Sequence, residues 1–137
     1  MAILVPIDDS DPSREALELA YAEHPDAEFL VLHVLDPQRS VIAGGLGNID
    51  AAMEAVQADA EELLEDAKRL GDERGVDVET ELAFGRPARV IVEYADLEGI
   101  DQVVIGSHGR TGAARVLLGS VAEKVVRRSP VPVTVVR

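Results

Sequence analysis

Short apolar segments alternate with helical patterns along this chain, and that alternation constrains its fold more than any other feature. The strand-like segments occupy residues 2–7, 28–35, 76–84, 102–105 and 131–136. The first is apolar at every position, which is typical of a strand covered on both faces in a parallel sheet. Strands and helices in alternation predict an α/β fold, with an open parallel sheet and helices on both faces. The length of 137 residues predicts one domain, spanning 1–137, with its own core.

Two of the helical patterns have clear sequence signals. Asp11 followed by Pro12 predicts an N-cap and a first helical residue, with the helix running to about His24. Residues 50–74 form a long amphipathic pattern with an apolar stripe and a strongly acidic face. No histidine joins the carboxylates of that face, so we interpret it as a solvated surface rather than as a metal site.

A glycine-rich loop follows the fourth strand-like segment. Its spacing is Gly106-x2-Gly109-x9-Gly119-Ser120. A strand that delivers such a loop to a helix N-terminus suits a phosphate group, because backbone N–H groups can close on the anion and the helix dipole favours negative charge. The alternative for Gly106 and Gly109 is a tight turn after a buried strand.

Ser120 has two compatible interpretations. Apolar residues recur at helical spacing from 117 to 126, and Ser120 with Glu123 matches the S-x-x-E capping box. Ser120 is therefore either the helix N-cap or a hydroxyl placed beside a phosphate at the same helix end.

Asp8 is the second candidate for ligand binding. It lies at the carboxyl end of the first strand, where open α/β sheets bind ligands, and its carboxylate can accept hydrogen bonds from hydroxyl or amine groups. The alternative is that residues 8–11 only form a turn and a cap. His33 is interpreted as structural, since no second ligand lies at metal-binding spacing. The irregular stretch 36–48 is either a cover over a ligand or a surface connection.

The charge balance excludes some partners. The chain has 26 acidic and 13 basic residues, a formal charge of −13, and no cysteine. Such a charge repels nucleic acid and anionic membranes, so we expect neither as a partner. An anionic ligand needs local positive charge, which Arg110 and Arg115 in the glycine loop supply.

Salt and localisation follow from the same composition. Lys68 and Lys124 are the two lysines of this arginine- and acid-rich chain, a surface that suits a salt-rich cytoplasm and predicts a halophilic source. No segment approaches the ~18 continuous apolar residues of a membrane span. We therefore expect a soluble, cytoplasmic protein.

Several segments together resemble one known family. The residues from Gly106 to Val121 resemble the ATP-binding signature of the universal stress protein family. Similar segments occur elsewhere in the chain at the positions expected for that family: Val5-Pro-Ile-Asp8, Leu32-His-Val34, Gly85-Arg-Pro-Ala88 and Pro130-Val-Pro-Val.

The resemblance implies a fold and a set of site residues. It implies five strands in the order 3-2-1-4-5, which would bring Asp8 and Gly106 together at the switch point of the sheet. It implies a nucleotide contact for Asp8 and a backbone contact with adenine for Val34. The rest of the implied nucleotide site consists of Gly106, Gly109, Arg110, Gly119, Ser120 and Val121.

The resemblance also implies a function. The expected ligand is ATP or a related adenine nucleotide with Mg²⁺ or Mn²⁺, bound by a regulatory stress-response homodimer that pairs through the final strand, 131–136. Pro130 and Pro132 favour an edge position for that strand. The alternatives are a slow ATPase, for which His108 is the candidate base in the loop, and a stress dimer that binds no nucleotide.

Overall fold

Strands and helices alternate through the part of the chain that the computed structural model describes, residues 1–38, 49–97, 99–108 and 118–137. This confirms the predicted alternation. The described elements are β1 (Ala2–Pro6), α1 (Asp11–Glu23), β2 (Glu28–Leu35), α2 (Ile49–Glu73), β3 (Asp77–Phe84), α3 (Pro87–Leu97), β4 (Gln102–Gly106), α4 (Ser120–Arg128) and β5 (Val133–Val136).

The five strands form one parallel sheet in the order β3-β2-β1-β4-β5. This confirms the predicted fold class and strand order. The chain moves outward from β1 through β2 to β3, and then crosses back over the sheet to place β4 on the other side of β1. The neighbours β1 and β4 therefore send their following chain in different directions, which opens a crevice at their carboxyl ends.

The core lies in two layers, one on each face of the sheet. Successive strand residues point to opposite faces, so Ile3 and Val5 of β1 pack under α1 and α2 while Leu4 packs under α3 and α4. Both layers are apolar, which explains why β1 is apolar at every position. In the first layer the rings of Tyr21 and Phe29 meet edge to face, with centroids 4.9 Å apart.

Tyr21 ties α1 to α2. Its ring is 1% exposed, and its hydroxyl donates a hydrogen bond to the Ala67 carbonyl oxygen at 2.9 Å. Burial raises the pKa of the Tyr21 hydroxyl well above its ordinary value, and the nearby Asp72 carboxylate raises it further.

The start of α1 differs from the prediction by one residue. The N-cap is Ser10, whose backbone is extended and whose side chain accepts a hydrogen bond from the Ser13 N–H. Asp11 is therefore the first helical residue and Pro12 the second. Proline is tolerated there because the first four N–H groups of a helix have no partner within the helix.

The final strand lies at the edge of the sheet, as its prolines predicted. It begins at Val133 rather than at residue 131, while Pro132 contributes its carbonyl oxygen to the Val103 N–H at 2.9 Å. No helix among the described residues is long and apolar enough to cross a membrane.

Candidate functional site

The candidate site lies where the carboxyl ends of β1, β2 and β4 meet. Pro6 of β1 is in register with Leu32 of β2, so continuing this register places Asp8 level with Val34. Gly106, at the end of β4, packs against the backbone of Pro12 and Ser13, and the Ser13 hydroxyl accepts a hydrogen bond from the Asp8 N–H. The structure thus brings together three of the residues that the sequence singled out from distant parts of the chain.

Asp8 uses one carboxylate oxygen locally. Its Oδ1 accepts hydrogen bonds from the Ser10 N–H at 2.9 Å and from the Ser10 hydroxyl. Its own N–H donates to the Ser13 hydroxyl oxygen at 2.8 Å. The other carboxylate oxygen, Oδ2, has no hydrogen-bond partner in the described ranges. The turn interpretation of Asp8 is therefore correct for Oδ1, and Oδ2 is available to a ligand.

His33 lies beside Asp8 and has a structural contact. Its Nδ1 forms a 2.7 Å hydrogen bond with the Ile7 carbonyl oxygen, which belongs to the peptide that precedes Asp8. Within the described residues no three His, Cys, Asp or Glu side chains cluster as a metal site would require.

Val34 is the second-to-last residue of β2 and is half-buried. Its half-buried side chain packs against the core layer under α3 and α4, and its backbone lies in register with Ala83 of β3. The side chain is thus a core contact, and the backbone at this strand end lies level with Asp8.

Gly106 is required by packing, a reason that the sequence did not indicate. A Cβ at this position would lie 2.8 Å from the Pro12 carbonyl carbon and oxygen and 3.0 Å from the Ser13 nitrogen. The first turn of α1 therefore passes directly over the end of β4. Only glycine leaves room for that backbone.

Gly119 closes the other end of the loop. Its N–H donates to the Ser107 carbonyl oxygen at 2.7 Å, and a Cβ would lie 2.9 Å from the His108 Cα. The two described ends of the loop, 106–108 and 118–120, are thereby in contact. Gly109, Arg110 and Arg115 lie outside the described residues, as do the glycines at 44–47.

The predicted capping box at α4 is wrong. The N-cap is Gly119, in an extended conformation and without a side-chain cap, and Ser120 is the first helical residue. Glu123 instead pairs with Arg127 at 2.6 Å, four residues further along the helix. Ser120 is exposed, while the half-buried Val121 packs into the core layer on that face. Within the described ranges, no side chain caps the first N–H groups of α4.

Ser13 and Ser107 are the two buried polar side chains among the described residues, 5% and 6% exposed. Both lie at the candidate site, and the sequence analysis assigned a role to neither. Ser13 is bound to Asp8 as described above, and the Ser107 hydroxyl lies 2.9 Å from the His108 Nδ1. The spacing Ser10-x-x-Ser13 could have indicated the first of them, since serine side chains often bind the backbone of a helix start.

A parallel sheet in this order, with polar and glycine residues gathered at its switch point, defines the doubly wound α/β class. Within this class, the model of the universal stress protein family matches residues 1–137. The chain belongs to that family.

Known relatives agree with this assignment. A universal stress protein of Methanocaldococcus jannaschii is 38% identical over 137 residues, covering 98% of this chain and 81% of that protein. The structure of universal stress protein UspA from Lactobacillus plantarum matches with a TM-score of 0.84 at 26% identity, covering 100% of this chain and 97% of the other.

Two similar structures contain adenine nucleotides. The universal stress protein from Archaeoglobus fulgidus in complex with dAMP matches with a TM-score of 0.73 at 26% identity, covering 100% of this chain and 98% of the other. A universal stress protein in complex with cAMP matches with a TM-score of 0.70 at 27% identity, covering 100% and 96%.

Proposed function

We propose that this protein binds an adenine nucleotide, ATP or a close relative, in the crevice between the carboxyl ends of β1 and β4. The observation that carries the proposal is the meeting of Asp8, Gly106 and the start of α4, which no described side chain caps, at the carboxyl ends of the strands. The dAMP and cAMP complexes of similar family members support adenine nucleotides as the ligand class.

Each part of the crevice suits one part of such a ligand. The free Oδ2 of Asp8 accepts a hydrogen bond from a ribose hydroxyl, and the backbone at Val34 meets the adenine ring. The first N–H groups of α4, at Ser120 and Val121, bind phosphate oxygens together with the exposed Ser120 hydroxyl, because a helix N-terminus favours anions. Gly106 and Gly119 keep this part of the backbone close to the ligand.

Two further parts of this proposal rest on the family motif in the sequence. Gly109 and Arg110 complete the phosphate side of the site, with Arg110 offsetting the negative charge of the chain. Mg²⁺ or Mn²⁺ accompanies a triphosphate, held mainly by its phosphate oxygens.

The binding test is a calorimetric titration with ATP, with and without Mg²⁺, on wild type and Asp8→Ala. We expect Asp8→Ala to weaken binding by about tenfold or more, the scale of one hydrogen bond to a charged group. Asp26→Ala is the matched control. Asp26 is an exposed aspartate in the turn before β2, at the amino ends of the strands, whereas the candidate site lies at their carboxyl ends. Wild type that binds no adenine nucleotide at millimolar concentration would refute the proposal.

The same sample distinguishes binding from hydrolysis. A regulatory binding protein leaves ATP intact over hours, whereas a slow ATPase releases phosphate. Turnover that His108→Ala abolishes would establish the enzymatic alternative, because His108 is the base candidate in the loop.

The proposed assembly is a homodimer that pairs through β5 and whose contacts respond to nucleotide. The Pro132 carbonyl oxygen accepts from Val103 of β4 and the Val136 carbonyl oxygen from Ser107, the residue after β4, so the backbone groups of Val133 and Val135 point away from the sheet. The side chains of β5 are half-buried or exposed. An apolar edge with no strand partner in the described part of the chain invites pairing with another chain.

Val135→Pro tests the dimer, because it removes an outward N–H and leaves the bonds to β4 in place. We expect wild type to sediment as a dimer and Val135→Pro as a monomer with an unchanged circular dichroism spectrum. Monomeric wild type at tens of micromolar, or a variant that stays dimeric, would refute pairing through this edge.

A further inference from the structure

A closed ring of hydrogen bonds holds Asp8 at the end of β1. The Asp8 N–H donates to the Ser13 hydroxyl oxygen at 2.8 Å, and the Ser13 N–H donates to the Ser10 hydroxyl oxygen at 3.3 Å. The Ser10 hydroxyl in turn donates to Asp8 Oδ1. The two serines together therefore fix the backbone amide and one carboxylate oxygen of Asp8.

Ser13 is the rigid member of this ring. Its side chain is buried, and a buried hydroxyl is costly unless it is hydrogen-bonded. Its position in the first turn of α1 is set by Gly106, because the backbone of Pro12 and Ser13 occupies the space where a Cβ would stand. The oxygen that receives the Asp8 N–H thus belongs to a helix end packed tightly on β4.

The peptide between Ile7 and Asp8 is also held from the opposite side. His33 of β2 binds the Ile7 carbonyl oxygen, and Ser13 of α1 binds the Asp8 amide of the same peptide. Rotation of this peptide would turn the Asp8 side chain in the crevice. With both of its polar groups bound, the peptide has one orientation.

We propose that Ser13 is a positioning residue for nucleotide binding, acting through Asp8. Its hydroxyl fixes the Ile7–Asp8 peptide, while its backbone N–H binds the Ser10 hydroxyl that holds Oδ1, and together these contacts direct the free Oδ2 toward the ribose of the bound nucleotide. This inference rests on the proposed function and assigns to Ser13 a role that requires no contact with the ligand.

A double-mutant cycle tests the inference. ATP affinity is measured by calorimetry for wild type, Ser13→Ala, Asp8→Ala and the double variant. We expect Ser13→Ala to weaken ATP binding about tenfold in the wild-type background and to have no further effect once Asp8 is alanine, since residues that act as one unit are not additive. The reason is that, without the carboxylate, there is nothing left for Ser13 to position.

A purely structural Ser13 gives a different pattern. It would lower the melting temperature and leave ATP affinity unchanged, or weaken ATP binding equally in both backgrounds, and either result would overturn the inference while leaving the proposed function intact. Wild type that binds no adenine nucleotide would instead remove the proposed function, and the inference with it.

Two further variants keep the test decisive. Ser129→Ala is the matched control, because Ser129 also bonds to the backbone of its own turn, with Val131, but at the far end of α4. It should cost stability and leave ATP affinity unchanged. If Ser13→Ala does not fold, Ser10→Ala opens the same ring at a half-exposed side chain, and it must show the same dependence on Asp8 for the inference to stand.

Discussion

Replacing Gly106 by alanine tests how closely α1 is packed on β4. The new Cβ would lie 2.8 Å from two atoms of Pro12 and 3.0 Å from the Ser13 nitrogen. All three are backbone atoms, so no side chain can rotate away to relieve the contact. The first turn of α1 would have to retreat by about 0.6 Å to reach ordinary van der Waals distance.

The expected loss of stability combines two opposing terms. Overpacking a rigid core position costs about 1–3 kcal/mol. Alanine also restricts the unfolded chain, which returns about 0.4–1 kcal/mol. The net loss in the free energy of unfolding is about 1–2 kcal/mol, and for a chain of this size that lowers the melting temperature by roughly 3–10 °C.

Thermal and guanidinium unfolding monitored by circular dichroism measure this loss. Gly75→Ala is the control, since Gly75 has a φ of +72° and nothing within 4 Å of its Cβ position. Gly75→Ala should lose stability only through the unfavourable backbone conformation, without any steric contact, and it should leave ATP affinity unchanged. Gly106→Ala should instead also weaken ATP binding, because it displaces Ser13 and Asp8. A Gly106→Ala variant as stable as wild type would show that α1 does not lie this close to β4.

Three other outcomes follow from the structure. Gly71→Ala places a Cβ 2.3 Å from the Val78 Cγ2, so it should lower the free energy of unfolding by about 1–3 kcal/mol. Here the obstacle is a side chain, so Val78→Ala should partly restore the stability lost in Gly71→Ala, as a double-mutant cycle of denaturation measurements would show. No such rescue is expected for Gly106→Ala, where the obstacle is backbone. The pKa of the Tyr21 hydroxyl is raised in the folded state, so folding favours the protonated form. The stability that this protonated hydroxyl contributes is complete below about pH 10 and is lost as the pH rises further. Melting temperatures should therefore fall above that pH, and less steeply in Tyr21→Phe. The excess of 26 acidic over 13 basic residues predicts a melting temperature that rises with KCl, and indifference to KCl would contradict the halophilic interpretation.

The elements of the fold were predictable because their sequence signals are local. Strand β2 was predicted with the bounds that the structure has, and α2 within one residue at each end. These segments combine a clear apolar period with evident breaks on either side. The strand order came from the family resemblance, since local patterns do not specify which strands become neighbours.

The helix starts were harder to predict because several residues competed for one role. Residues 8–11 are all good capping types, and Ser10 became the cap while Asp8 took up the ring that includes Ser13. At α4 the S-x-x-E pattern was present, but Glu123 had Arg127 within reach one turn later. At both helix starts, several residues had side chains suited to capping, and contacts with residues outside the expected pattern determined which of them became the cap.

The packing role of Gly106 could not be predicted at all. Its neighbours Pro12 and Ser13 are more than ninety positions away in the chain, and only the pairing of β1 with β4 brings them together. From the sequence, a glycine at a strand end indicated a turn or a phosphate loop. In the structure, Gly106 also allows close packing: the first turn of α1 lies against the end of β4, and this contact joins Asp8 to the glycine loop.

The distribution of charge fixes how an adenine nucleotide would be oriented in this crevice. Residues 101–137 contain six of the thirteen basic residues but two of the twenty-six acidic ones. The part of the chain that follows β3 and α3 is thus basic in an otherwise acidic protein, and it supplies the start of α4. The helix dipole favours phosphates at that helix start, and the net positive charge of residues 101–137 acts in the same direction. The Asp8 carboxylate, across the crevice on β1, repels phosphate and accepts hydroxyl donors, so the ribose belongs there. Under the proposed function, both effects favour the same orientation of the nucleotide.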